Sequence, residues 1–136
     1  MTTEIRTSLQ VTVPGGPSWK INSTESVEAY DVIDVTIAAG ATDKVVDVLP
    51  GVSGALLNML VVQSDLYGAE ITYRANDGTD DSDIAVTLHG PHFFGRGVAA
   101  LFGVDVKSLK FTNTNAAATN NHARIQILVG RDATPP

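Results

Sequence analysis

Residues 122–130 read His-Ala-Arg-Ile-Gln-Ile-Leu-Val-Gly. Ala123, Ile125, Ile127 and Val129 alternate with Arg124, Gln126 and Leu128, a period of two that places the first set on one face of a strand and the second on the other. The same pattern recurs upstream. Lys107 to Thr112 forms a strand, joined to this one by the polar loop Asn113 to Asn121. Ala69 to Ala75 alternates, with Ile71 and Tyr73 inward and Glu70, Thr72 and Arg74 outward. The turn chemistry of Asn76-Asp77-Gly78 through Ser82 then leads into Asp83 to Leu88, where Ile84, Val86 and Leu88 share a face, so the two segments read as a hairpin. Ser26 to Ile37 carries Val27, Ala29, Ile33, Val35 and Ile37 on one parity, broken by Asp31, and reads as one half-buried strand. After the turn Ala38 to Asp43, Lys44 to Leu49 starts another, stopped by Pro50-Gly51. Roughly eight strands at intervals of about ten residues predict an all-β, single-domain antiparallel sandwich or jelly roll.

Composition agrees. Val (16), Ile (8) and Thr (14) favour a pleated surface, and Asp outnumbers Glu 11 to 4 while Lys numbers 4, so turn formers exceed helix formers. A chain of 136 residues, 43% of them hydrophobic, is long enough to bury a core without metal or disulfide staples. It has no cysteine, hence no disulfide, thiolate nucleophile or sulfur-based zinc site. A net charge of -6 argues against a phosphate backbone as partner, because nucleic-acid affinity needs clustered Lys and Arg. No apolar run of membrane-spanning length and no secretory leader at Met1 stand out, so the expectation is a soluble protein made in the cytoplasm, with no membrane partner.

Three segments stand apart. Ile5 to Val13 alternates and is stopped by Pro14-Gly15-Gly16-Pro17, so residues 1–18 read either as an extended arm or as the first strand, ahead of a sandwich over 19–136. Leu56 to Ser64 is apolar on both parities, as befits a central strand covered on one side by the core and on the other by a helix, an arm or a neighbouring subunit. His89 to Gly103 is too rich in glycine for a long element and too apolar for a solvated loop; it reads as one helical turn at Val98 to Phe102 or, over the whole stretch, as a bent strand crossing between sheets. The apolar surplus exceeds what one small core needs, and contiguous exposed apolar surface marks interfaces. The interface expectation therefore falls on Ile5, Leu9, Val11 and Val13 in the arm, on Leu57, Met59 and Val61, and on Phe93, Phe94, Leu101 and Phe102.

Reactive chemistry is thin. Asp77, Asp80, Asp81 and Asp83 lack the ligand spacing and distal glutamate of an EF-hand and read as a solvated turn. Gly90-Pro91 between His89 and His92 opposes a helical metal pair, and His122 stands apart. There is no Gly-x-Ser-x-Gly elbow, and Gly95-Arg96-Gly97 lacks the Lys-Ser/Thr of a phosphate loop. The expectation is no catalytic residue, no metal and no cofactor. Trp19, Tyr30 and Tyr67 raise the alternative of a carbohydrate-binding module in a host-recognition apparatus, since sugars stack on exposed aromatics.

Val106-Lys-Ser-Leu-Lys-Phe-Thr-Asn-Thr-Asn-Ala-Ala-Ala, followed by His122 to Gly130, resembles the last hairpin of small β-sandwich structural proteins of tailed bacteriophages. The acidic, cysteine-free, lysine-poor β domain with an N-terminal arm also resembles capsid decoration (cement) proteins. That resemblance implies a virion protein without enzymatic activity, a homotrimer bound to the major capsid protein on the outer head, and a role for Ile5 to Val13 in reaching a neighbouring subunit.

Overall fold

The computed structural model describes residues 2–48 and 57–132. Pro50-Gly51 and Leu56, read above as a stop and a strand start, lie outside them. In chain order the strands are β1 (Thr3–Thr12), β2 (Ser18–Val27), β3 (Ala29–Ile37), β4 (Lys44–Asp47), β5 (Leu57–Ser64), β6 (Ile71–Asn76), β7 (Val86–Thr87), β8 (His92–Phe94), β9 (Ser108–Asn113) and β10 (Ala123–Arg131). All pairings are antiparallel. β1 and β2 form a hairpin of their own, a first sheet runs β3-β10-β5-β8, and a second runs β4-β9-β6-β7. The two four-stranded sheets pack face to face as a sandwich.

The core follows from strand parity. Ile125, Ile127, Val129, Leu60 and Val62 of the first sheet meet Ile71, Tyr73, Leu109 and Phe111 of the second, all fully buried. The glycine-rich insert closes the side of this core. It forms the helical turn, as a 3₁₀ turn at Val98–Phe102, and is not one bent strand crossing between the sheets: only His92–Phe94 is extended, as β8 against β5 of the first sheet. Phe102 is buried against Phe94 and Tyr73, with ring centroids 5.2 and 6.3 Å apart.

Three expectations need correction. The segments Lys107 to Thr112 and His122 to Gly130 are not a hairpin: β9 lies in the second sheet and β10 in the first. The loop between them crosses the layers, pinned by the fully buried Asn113, whose Nδ2 donates to the Ile37 carbonyl of the first sheet at 3.1 Å and to the Asn121 carbonyl at 2.8 Å. Alternation fixes which side chains face inward but not which strand is the partner. Ser26 to Ile37 is not one strand either. Val27 ends the hairpin and Ala29 starts β3, with the Glu28 amide already donating to the Arg131 carbonyl at 3.1 Å. Finally, Ile84 does not face the core: it is 76% exposed, because the Arg74 guanidinium holds the Ser82 and Asp83 carbonyls at 2.8 and 2.7 Å and bends the chain before β7.

Candidate interaction surface

β1 and β2 form a hairpin outside the two sandwich sheets, here called the arm. The segment 1–18 supplies only its first strand and turn; β2 completes it, so the arm unit runs from Thr3 to Val27. Its turn follows from Val13-Pro14-Gly15-Gly16, with proline fixing the first central φ and Gly15 at φ +74° filling the second, closed by the Gly16 amide on the Val13 carbonyl at 2.8 Å. The register pairs Ile5 with Glu25, Leu9 with Ile21 and Val11 with Trp19 on one face, and Arg6 with Thr24, Ser8 with Asn22 and Gln10 with Lys20 on the other. One face is apolar toward the tip, and the other is polar throughout.

The apolar face is turned toward the sandwich at the root. Gly130 of β10 presents no side chain, and a Cβ there would stand 2.9 Å from Val27 Cγ1, 3.2 Å from Ile5 Cδ1 and 3.3 Å from Met59 Cβ. The missing side chain makes a slot in the outer face of the first sheet, and the arm root fills it. Val27 and Met59 are thereby buried outside the main core. Arg96 adds a clamp, its Nε on Glu25 Oε1 and its guanidinium 3.4 Å from the Ser26 carbonyl. This is the role the structure gives Gly95-Arg96-Gly97.

Beyond the root, exposure and hydrophobicity rise together. Ile5, Thr7 and Glu25 are half-buried, whereas Leu9, Val11, Val13 and Ile21 are exposed and Trp19 is 63% exposed. The arm is most apolar where it touches least of its own chain.

The sandwich has a matching feature. Antiparallel sheets usually present a polar outer face, and the second sheet largely does, with Lys110 beside Arg74 and Thr112 beside Thr72, although Val45 opposite Lys110 is exposed. On the first sheet the register lines up Val32, Leu128, Val61 and Phe93 across all four strands. Val32 is 68% and Phe93 45% exposed, while Leu128 and Val61 are half-buried. Val32, Val61 and Leu128 line a shallow depression of about 240 Å³. The row lies next to Gly130 and Met59, where the root is seated, and the charges further along the face are mutually neutralised, Asp34 by the Arg124 guanidinium, which also holds its carboxyl below the usual carboxylate range.

Of the residues expected at an interface, Leu9, Val11, Val13, Val61 and Phe93 lie on these two surfaces, and Ile5 lies at the junction. Leu101 is 83% exposed but on the insert, away from both. Leu57 and Phe102 are buried in the core, Phe94 packs against it and Met59 is covered by the arm root, so the chain itself accounts for their hydrophobicity. Ile21, Val32 and Leu128 were not among the residues expected at the interface, although the alternation had already put Leu128 on the outer face of its strand. The available signal was parity: Leu128 shares its face with Arg124 and Gln126.

The other candidate groups have local roles. Asp77 Oδ1 accepts from the Thr79 and Asp80 amides at 2.8 and 2.6 Å, and Asp81 accepts from Asn76 at 2.7 Å and pairs with Lys110 at 2.9 Å, which lowers both carboxyl pKa values. Tyr73 Oη and His92 Nδ1 share a hydrogen bond at 2.6 Å; burial raises the phenol pKa and, with His89 nearby, lowers that of the imidazole. His122 Nδ1 accepts from the Ala39 amide at 2.9 Å. Among the described residues no three His, Asp or Glu side chains converge on a point that a metal would occupy. Trp19, Tyr30 and Tyr67 sit on the arm, on β3 and against the core respectively, and do not form one platform. No protein-family model matches the sequence, and no curated protein and no solved structure matches it.

Proposed function

We propose that this chain is a non-enzymatic structural protein of a symmetric assembly, in which the arm locks a sandwich to its neighbours. One observation carries the reading: a two-stranded arm that is stably rooted, polar on one face, and increasingly apolar on the other toward a tip its own domain leaves uncovered. An isolated two-stranded hairpin is marginal in water, so the tip is a surface to be covered.

Magnitudes favour a multivalent role. Covering Leu9, Val11, Val13, Trp19 and Ile21, each about half exposed, contributes on the order of 1 kcal/mol per residue, or about 5 kcal/mol per arm. Association costs at least about 4 kcal/mol, so one arm alone gives weak attachment, while arms repeated by symmetry give firm attachment. That is the arrangement a capsid decoration protein uses. The proposal includes a virion location, a homotrimeric state and the major capsid protein as the surface on which the oligomer sits.

Sedimentation equilibrium tests the reading. The protein at tens of micromolar is expected to be an oligomer, and the variant with Leu9, Val11, Trp19 and Ile21 all changed to Thr a folded monomer. A monomeric parent protein would refute it. Co-sedimentation with undecorated capsid shells tests the capsid assignment, and failure to bind would remove that part.

A further inference from the structure

We propose that the arm's apolar face docks on the Val32, Leu128, Val61 and Phe93 row of a second copy of this chain, so that each protomer donates one arm and receives another. The inference rests on the reading of an assembly held by arms, and it names the receiving surface.

Three observations select a second copy as occupant. First, the outer face of the first sheet already accepts this arm's side chains within the chain: Ile5 and Val27 fill the slot over Gly130 and Met59, and the open row continues from that contact. The same apolar chemistry recurs one step further along a face already complementary to the arm. Second, the dimensions agree. The uncovered part of the arm, from Ser8 to Val13, extends roughly 20 Å at strand rise, and a row across four strands spans about 15 Å. Third, neither surface has an unpaired charge to be desolvated. The arm's apolar face carries only Glu25, clamped by Arg96, and the nearest charges on the receiving face are the Asp34–Arg124 pair. An acidic or basic partner would find no counter-charge here, whereas a second arm finds apolar side chains. The contact joins two different patches, so it is heterologous and satisfies all copies when it closes as a ring.

The chain has no cysteine, which allows a direct test. Val11→Cys protein is mixed with Val61→Cys protein, subunits are exchanged, and the mixture is mildly oxidised. A disulfide between positions 11 and 61 of different chains is expected, identified by peptide mass. Val11→Cys mixed with Ile84→Cys, an exposed site outside the first sheet, should yield at least ten-fold less. An oligomer that gives no 11–61 link, or links equally to position 84, overturns this docking site while leaving the assembly reading intact. Leu128→Asp gives a second measure, in which circular dichroism should be unchanged and the oligomer should dissociate. An undiminished oligomer overturns the proposal, and a parent protein that is itself monomeric overturns the assembly reading with it.

Discussion

Gly130→Ala probes the slot that seats the arm. The new methyl would lie 2.9 Å from Val27 Cγ1, 3.2 Å from Ile5 Cδ1 and 3.3 Å from Met59 Cβ, against an optimal carbon separation of about 3.5–4.0 Å. Val27 is fully buried and β-branched, so it cannot rotate aside, whereas Ile5, half-buried at the arm's edge, can yield. Overpacking of this kind costs about 1–3 kcal/mol. Stiffening the unfolded chain by replacing glycine returns about 0.4–1 kcal/mol, leaving a net loss of roughly 1–2 kcal/mol. Lifting the root away would expose Val27 and Met59 at about 2 kcal/mol each, so the arm stays seated and the strain is retained. Val27→Ala empties the space the methyl needs at a cost of about 2 kcal/mol, and the double variant should be less destabilised than the sum of the two by about 1 kcal/mol. Urea unfolding followed by circular dichroism at one protein concentration measures all four corners of the cycle. Additivity within about 0.4 kcal/mol, or a more stable Gly130→Ala protein, would refute the seating of Val27 against residue 130.

Asn113→Asp removes the two donors that tie the crossing loop to Ile37 and Asn121 and places a carboxylate in a fully buried site; about 3 kcal/mol of stability should be lost, and a change below about 0.5 kcal/mol in chemical denaturation would contradict that role. His92 is harder to protonate folded than unfolded, so the unfolded chain binds the extra proton and stability should fall as pH drops below the ordinary value of 6.5. His92→Gln should flatten the slope of the urea midpoint between about pH 5 and 7, and an unchanged slope would show that His92 is not its source. Tyr73 has the opposite sign: its phenol is harder to ionise folded, so stability should decline above the ordinary value of 10 and Tyr73→Phe should remove that decline. Trp19 is the sole tryptophan and sits on the open arm face, so its emission should shift to shorter wavelength as concentration rises through assembly, and a concentration-independent spectrum would place it away from the contact.

Much of the sandwich was legible because β strands have an exact side-chain period. In β10 the residues Ala123, Ile125, Ile127 and Val129 are all fully buried, as their alternation requires, and β6 carries Ile71 and Tyr73 inward as read. Pairing was less legible. β9 and β10 are neighbours in sequence but lie in different sheets, because the decisive contact is made by Asn113, a residue indistinguishable in sequence from the other loop asparagines. The arm was half legible: the stop at Pro14 to Pro17 was clear, yet that stop is the turn of a hairpin whose second strand, Ser18–Val27, resembles any other polar segment until Trp19 and Ile21 are set opposite Val11 and Leu9. The two-sided hydrophobicity of β5 announced a covering element on its outer side, and at Met59 that element is the arm root, admitted by a glycine 71 positions away in the chain. Such a slot depends on a side chain that is absent, which no hydrophobic pattern records.

The order β3-β10-β5-β8 also governs when this molecule can fold during synthesis. β10 lies between β3 and β5, and the Arg131 to Asp31 ion pair closes a loop of 100 residues. Until Ala123–Arg131 has left the ribosome, β3 and β5 lack the neighbour they share, and both expose hydrogen-bonding edges of the kind that invite aggregation. The β1–β2 hairpin, by contrast, is formed entirely from local pairs and emerges first. A nascent chain therefore exposes the apolar side chains of this hairpin, Leu9, Val11, Trp19 and Ile21, before it has the sandwich on which the hairpin is rooted.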